Sequence, residues 1–446
     1  MKRKGSHPFW SLIAFTLLLS SSRGVGDASA KSEIHFWHAM NGQLNEAVDA
    51  LAKKFNEKQS DYEVKPLQKG TYPETLTAAI AAYHAKTPPH IVQVFDVGTQ
   101  TMLLSGAIIP VFQLMREQRI AIDWSDFIQP VLSYYAKDRR LYSMPFNSST
   151  PILYYNKEAF QKAGLSPDRP PTTWKEVGEF SRRVISAGAA KCGFSTGWPS
   201  WILFENMAAW HDRPFATNQN GFGGVDTHLL VNGEFQKKLI GLLVGWQAEN
   251  IYSYGGRMDL PDRKFTSGEC AMYLQSSALI GGFTRSVRFK WGTGQLPHWG
   301  APYKQGTSIP GGATLWVMQG LPPADYQGIA RFFKFLAEAE QQASWHQTTG
   351  YVTITNASLK YLGQTNHFLR NPDQWTAFAQ LTSGNNTPNT QGIRLGDFVA
   401  VRDAIEDELE NILAAKKSVQ QGLDDAVAKG DEVLKEFAGS FHLGRR

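Results

Sequence analysis

Apolar positions at Leu44, Val48, Leu51 and Phe55 recur at intervals of four, three and four residues. That spacing lines one face of an α-helix and leaves the other face polar. A β-prone run at residues 34–37 precedes this helix, and a second strand-like run covers 62–67. A further helix is predicted over 73–83, and residues 90–95 read as a short apolar strand. Strand, helix, strand, helix, strand predicts a mostly parallel sheet covered on both faces. Ligands of such sheets sit beyond the carboxyl ends of the strands. Attention therefore falls on Trp37 and His38, on Gly70, Thr71 and Tyr72, and on Asp96 through Thr99.

The alternation begins again near residue 151 with the apolar stretch Pro151, Ile152, Leu153, Tyr154, Tyr155. Trp174, Val177, Phe180 and Val184 follow at helical spacing. Gly311 and Gly312 lead into an apolar strand at 313–318, and Ile329, Phe332, Phe333 and Leu336 mark another helix. The chain closes with helices carrying Val401, Ile405, Leu409 and Ile412, then residues 419–437. No internal repeat or low-complexity linker interrupts the pattern. Connections between the two regions fall at 143–150, near 308–312 and at 350–354. Several crossings, rather than one linker, predict a hinge that closes two lobes on a ligand.

The first thirty residues follow another rule. Lys2, Arg3 and Lys4 precede an apolar run over 9–19, and small residues end in Ala28, Ser29 and Ala30. This is the order of a secretory signal peptide, with cleavage expected after Ala30. The apolar run is too short for a span, which needs about 20 residues. No Cys near the cleavage point offers an acceptor for lipid, so a diffusible exported protein is expected. Removal of this segment takes four basic side chains and one acidic one. The 45 basic and 40 acidic residues then become 41 and 39, close to neutral. Nothing marks a nucleic-acid binder, which would cluster Lys and Arg on one face. The remaining 416 residues exceed what one core holds, so two domains are expected. Cys192 and Cys270 are compatible with a disulfide or with two buried thiols, and the sequence does not choose.

Enzyme signatures are missing: no G-x-G-x-x-G after a strand, no phosphate loop of the Walker type, no H-E-x-x-H and no G-x-S-x-G. His35 and His38 would point to opposite faces of a strand, which disfavours a shared metal. The acidic stretch Glu406, Asp407, Glu408 and Glu410 reads as a solvated helix face. Aromatic residues are more telling. Trp198 and Trp201 bracket a short Gly-bounded loop, where two indoles are hard to bury in a core. At least one is expected to face a cleft, where an indole suits the C–H side of a polyol or a quaternary ammonium.

Six stretches, in order along the chain, resemble one family. They are Phe36-Trp37-His38, the run from Gln93 to Thr99, the run from Phe146 to Asn156, Gly311 to Gly320, Trp345 to Tyr351, and Gly392 to Gly396. Together they are similar to the periplasmic glycerol-3-phosphate-binding proteins of bacterial ABC importers, within the larger family that includes maltose-binding proteins. The resemblance implies an α/β, type II periplasmic binding protein-like fold: two α/β lobes, a multi-strand hinge and a ligand in the interlobe cleft. The lobes expected are 31–145 with 311–350, and 146–310 with 351–446. It implies capture of sn-glycerol 3-phosphate, or of a glycerophosphodiester such as glycerophosphocholine, in the periplasm. Partners would be permease subunits with a cytoplasmic ATPase; the protein would be a monomer and use no cofactor, metal or catalytic residue. Carried over position by position, it places Tyr72, Ser149, Ser276, Gly312, Tyr351 and Arg402 around the ligand, with Trp198 and Trp201 along one wall. Asp96 stands where the family has Glu, one methylene shorter, so hydroxyl recognition through a bridging water is one expectation.

The chemistry of these side chains is consistent with that assignment. Hydroxyls, phenols and a Cβ-less backbone offer donors to phosphate, and a guanidinium offers a planar fork. Arg394 is the rival for the cationic role. Taken singly, the serines also read as turn caps, Tyr351 as a packed ring and Arg402 as a helix-surface charge. Competing functions are an oligosaccharide-binding importer component, a periplasmic phosphodiesterase, and a structural or chaperone role.

Overall fold

Strand β1 (Ser32–His38) buries Ile34 and Phe36 on alternate positions and carries them into the first core. The computed structural model describes residues 31–443. The expected signal peptide and its cleavage point after Ala30 lie outside the described residues. After β1 come α1 (Gly42–Lys58), β2 (Tyr62–Gln68), α2 (Tyr72–His84) and β3 (Ile91–Phe95). The predicted helical face of α1 is the buried one at Val48, Leu51 and Phe55. A short β4 (Ile108–Ile109) and β5 (Met144–Ser149) complete the first pass.

Thr150 separates β5 from β6 (Pro151–Asn156), and there the chain changes sheet. The second region adds α3 (Trp174–Ser186), β7 (Cys192–Thr196), α4 (Glu234–Ala248), β8 (Cys270–Ser276) and β9 (Trp291–Gly294). Thr173 opens α3 by accepting a hydrogen bond from Glu176 N. Trp174, Val177 and Val184 on its inner face are almost wholly buried, each contributing about 1.5–3 kcal/mol of transfer free energy. The chain returns to the first sheet with β10 (Gly311–Met318), followed by α5 (Pro323–Leu336) and α6 (Ala339–Thr349). It ends in α7 (Phe398–Leu413) and α8 (Val419–Leu443).

The first sheet runs β2-β1-β3-β10-β4, with β5 paired to β10; the second runs β9-β6-β8-β7. A mostly parallel sheet was the expectation, and the structure corrects it: both sheets are mixed. Parallel pairing is confined to β1 with β2 and β3, and β7 with β8. The reason is the crossing. β10 arrives from the second sheet and runs against β3, Ala313 opposite Phe95 and Val317 opposite Ile91. Local periodicity reports which segments are strands, but strand direction is set by where the chain enters.

Cys192 and Cys270 are cross-strand partners on β7 and β8 and form a disulfide across 78 residues. Replacing both by Ser is expected to lower stability by about 2–4 kcal/mol, through the larger unfolded ensemble. Denaturant titration of the variant beside the wild type checks this; equal midpoints would show that the bridge is redundant.

The acidic stretch near residue 406 also differs from expectation. Glu408 is buried where α8 packs on α7, and Glu406 is buried beside Ser200 and Arg257. Glu408 accepts hydrogen bonds from Lys417 and Lys429, both at 2.6 Å. Glu406 accepts from Ser200 N at 3.3 Å, and burial pushes its carboxyl up to about 7. Among the described residues no helix is long and apolar enough to cross a membrane.

Candidate functional site

The carboxyl ends of β1, β3, β7 and β8 converge with the start of β10 on one cavity. All nine residues singled out from the sequence line it: Tyr72, Asp96, Ser149, Trp198, Trp201, Ser276, Gly312, Tyr351 and Arg402. Five of them are delivered by a strand end or helix start. Asp96 follows β3, Ser149 and Ser276 end β5 and β8, Gly312 begins β10, and Tyr72 opens α2. Thr71 fixes that helix start, its N–H and its hydroxyl both donating to Glu74 Oε2 at 2.6 and 2.9 Å.

One wall is aromatic. Tyr72 stacks on Phe95 with ring centroids 5.2 Å apart, and Tyr351 stacks on Trp345 at 6.0 Å. The Tyr72 hydroxyl accepts from Asn147 Nδ2 at 2.8 Å, and Asn147 Oδ1 accepts from Gln93 Nε2 at 2.8 Å. A buried amide relay therefore sets the Tyr72 phenol from two strands of the first sheet. Burial pushes the Tyr351 phenol up to about 12, so it remains a donor at neutral pH. Trp198 sits at φ 43°, and its Nε1 donates to Asp259 Oδ1 at 2.8 Å. Trp201 lies in the π-helix Ser200–Asn206 rather than in a loop, and its buried Nε1 has no partner among the described residues.

The hydroxyls are available. Ser276 Oγ accepts from Ala278 N at 3.2 Å, leaving its proton to donate. Ser149 is buried against the cavity in β5 and spends its hydroxyl on no hydrogen bond among the described residues. Gly312 adopts φ +95°, and a Cβ there would meet Asn147 O at 1.8 Å, so only glycine brings the backbone this close.

Arg402 departs from the expected picture. Its fork does not wait open for a ligand: Nε and Nη2 donate to Glu205 at 2.7 and 2.8 Å, and Nη2 also donates to Asp96 Oδ2 at 2.8 Å. Burial works against its charge, yet Asp96 and Glu205 outweigh burial and hold the guanidinium protonated. Burial in turn pushes the carboxyls of Asp96 and Glu205 up, and Arg402 opposes that. Nor is Arg402 a helix-surface charge, since it is buried. The rival Arg394 does not line the cavity. Its Nη2 donates to the carbonyls of Tyr134 and Ala136 at 2.7 and 2.9 Å, and its guanidinium stacks on Phe222.

Two acids in this site were missed from the sequence. Glu205 had one signal, a lone carboxylate inside the largely apolar run from Trp201 to Trp210, which burial obliges to find a cation. Asp259, in an irregular Gly-rich loop, had none. Among the described residues the cluster of metal-ligating groups is Cys192, Glu269 and Cys270, and both its thiols are spent in the disulfide. His38 is buried, and burial holds its ring near 4, so it stays neutral.

A protein-family profile for bacterial extracellular solute-binding proteins matches residues 50–360. The chain is 42% identical over 419 residues to the sn-glycerol-3-phosphate-binding periplasmic protein of Salmonella typhimurium, covering 93% of this chain and 95% of that one. The protein of that name in Escherichia coli K12 is 42% identical over 420 residues, with coverage of 93% and 95%. Among solved structures, UgpB of Mycobacterium tuberculosis in complex with glycerophosphocholine matches with a TM-score of 0.76 at 22% identity, covering 91% of this chain and 99% of that one. Maltose-bound MalE3 of T. maritima matches at 0.72 and 15% identity, covering 91% and 99%. Likeness at those identities shows the fold, that of the periplasmic binding proteins of the maltose-binding type.

Proposed function

The chain belongs to the bacterial extracellular solute-binding proteins, and from that premise we propose that it captures sn-glycerol 3-phosphate and glycerophosphodiesters for an ABC importer. The observation that carries this reading is the meeting of nine expected residues in one cavity whose lining holds a single cationic side chain, Arg402. Phosphate is held by Arg402 and by neutral donors from Ser149, Ser276, Tyr72 and Tyr351. Glycerol hydroxyls fall to Asp96, whose Oδ2 is already turned to Arg402. The indoles of Trp198 and Trp201 cover the C–H faces.

The ligand is bound and released unchanged; the protein acts without a catalytic step. It works in the periplasm as a monomer after loss of residues 1–30, and hands its ligand to permease subunits coupled to a cytoplasmic ATPase. The moving parts are the two lobes, 31–145 with 311–350 and 146–310 with 351–446, the first boundary falling inside β5. Closure about the crossings buries the phosphate against fixed dipoles, so a sugar that leaves those donors unpaired is disfavoured.

A thermal-shift screen tests the reading. Glycerol 3-phosphate and glycerophosphocholine are each expected to raise the melting temperature, by about 2.7 kcal/mol of added stability at 100 times the dissociation constant. Maltose is expected to leave it unchanged; the reverse order would transfer the protein to oligosaccharide uptake.

A further inference from the structure

The cavity holds more carboxylate than a phosphate site needs. Arg402 is already matched by Asp96 and Glu205, both within 2.8 Å. Asp259 then remains at the cavity wall as a negative charge without a cation. Its Oδ1 accepts from Trp198 Nε1 at 2.8 Å and from Gln275 Nε2 at 3.2 Å, both neutral groups. Oδ2 has no hydrogen-bond partner among the described residues. Arg257, two positions earlier, is turned away to Asp407 and Glu410 on α7. Asp262 adds a second acid nearby, accepting from Tyr273 and Gln275 at 2.7 and 3.2 Å. Solvent reaches Asp259, yet the protein packed around it pushes its carboxyl above the usual range.

The backbone around this charge is held in costly conformations. Trp198 and Met258 have φ of 43° and 52°, and Trp198 N donates to Met258 O at 3.0 Å. Each such residue costs about 1–3 kcal/mol and persists where surrounding contacts fix it. The outcome is an indole and a carboxylate locked side by side on the cavity wall.

Resting on the proposed function, we infer that Trp198 and Asp259 form a headgroup subsite that selects glycerophosphodiesters with a cationic head. Arg402, Trp198 and Asp259 line the same cavity, so a diester with its phosphate at Arg402 presents its head to the cavity wall. A quaternary or primary ammonium there meets the indole face and the carboxylate together, each favouring a cation. A primary ammonium can also donate to Oδ2. A phosphomonoester has no such head, and its second negative charge, gained above about pH 6, is repelled by Asp259. Diesters with neutral or acidic heads gain neither contact.

Calorimetry at low ionic strength and pH 7.5 tests this with three probes: glycerophosphocholine, its uncharged 3,3-dimethylbutyl isostere, and glycerol 3-phosphate. The wild type is expected to bind the choline diester about tenfold tighter than the isostere, a difference of about 1.4 kcal/mol. Asp259→Asn keeps an acceptor for the indole N–H; it is expected to cut that ratio to about twofold and to tighten glycerol 3-phosphate several-fold. Equal wild-type affinities for the choline diester and the isostere would overturn the subsite even if the variant failed to fold. A ratio unchanged by Asp259→Asn would overturn the role of the carboxylate. Failure of all three probes to bind would overturn the proposed function itself, and the subsite with it.

Discussion

Arg402→Ala is expected to cost about 3–5 kcal/mol of folding stability, and to weaken glycerol 3-phosphate binding by about 2–4 kcal/mol where the variant folds. The stability loss follows from what Arg402 leaves behind. Asp96 and Glu205 are buried, and the guanidinium is the cation that both contact. Without it their carboxyls, already pushed up by burial, rise further. A carboxyl whose folded-state value lies above its unfolded one stabilises the fold below the unfolded value, about 4, and that support is lost as pH rises through the folded value. The deficit of the variant relative to wild type is therefore smallest near pH 5 and grows toward pH 8. Denaturant titrations at both pH values read it directly. A variant as stable as wild type at pH 8, with unchanged ligand affinity, would show that the guanidinium anchors neither the fold nor the phosphate.

Gly312→Ala is the second large effect, with an expected loss of about 3–5 kcal/mol and of ligand binding beyond it. Two costs add. At φ +95° any L side chain is strained, and the new Cβ would lie 1.8 Å from the Asn147 carbonyl oxygen. Asn147 cannot yield freely, because its amide joins Gln93 to the Tyr72 phenol. Displacing it moves a cavity wall. Gly320→Ala is the control: φ is +84°, but nothing lies within 4 Å of its Cβ. Strain alone should cost about 1 kcal/mol there. Similar losses at both positions, by thermal unfolding, would contradict the close approach at Gly312.

The elements were largely legible because helical faces and strand runs are local patterns: α1, α3 and α5 carry the buried residues their spacing predicts. The cavity residues were legible through strand ends and through the family resemblance. What stayed hidden depends on contacts across long stretches of chain. Arg402 reaches Glu205 across 197 residues and Asp96 across 306, so this ion-paired triad has no local trace. Strand direction in β10 is set by a crossing, not by its own residues. Glu406 and Glu408 were read as solvated because the lysines and packing that bury them come from α8 and from loops elsewhere. Asp259 belongs to a loop whose shape is fixed by Trp198, 61 residues earlier.

On the proposed function, this cavity grips an intact glycerol phosphate through one guanidinium, itself held by two carboxylates, and a set of neutral donors. Calorimetric titration of the chain lacking its first thirty residues with sn-glycerol 3-phosphate measures it most directly. Saturable one-to-one binding near the micromolar range, about −8 kcal/mol, is expected, with the ligand recovered unchanged. No heat with any glycerol phosphate, together with saturable binding of maltose, would contradict it.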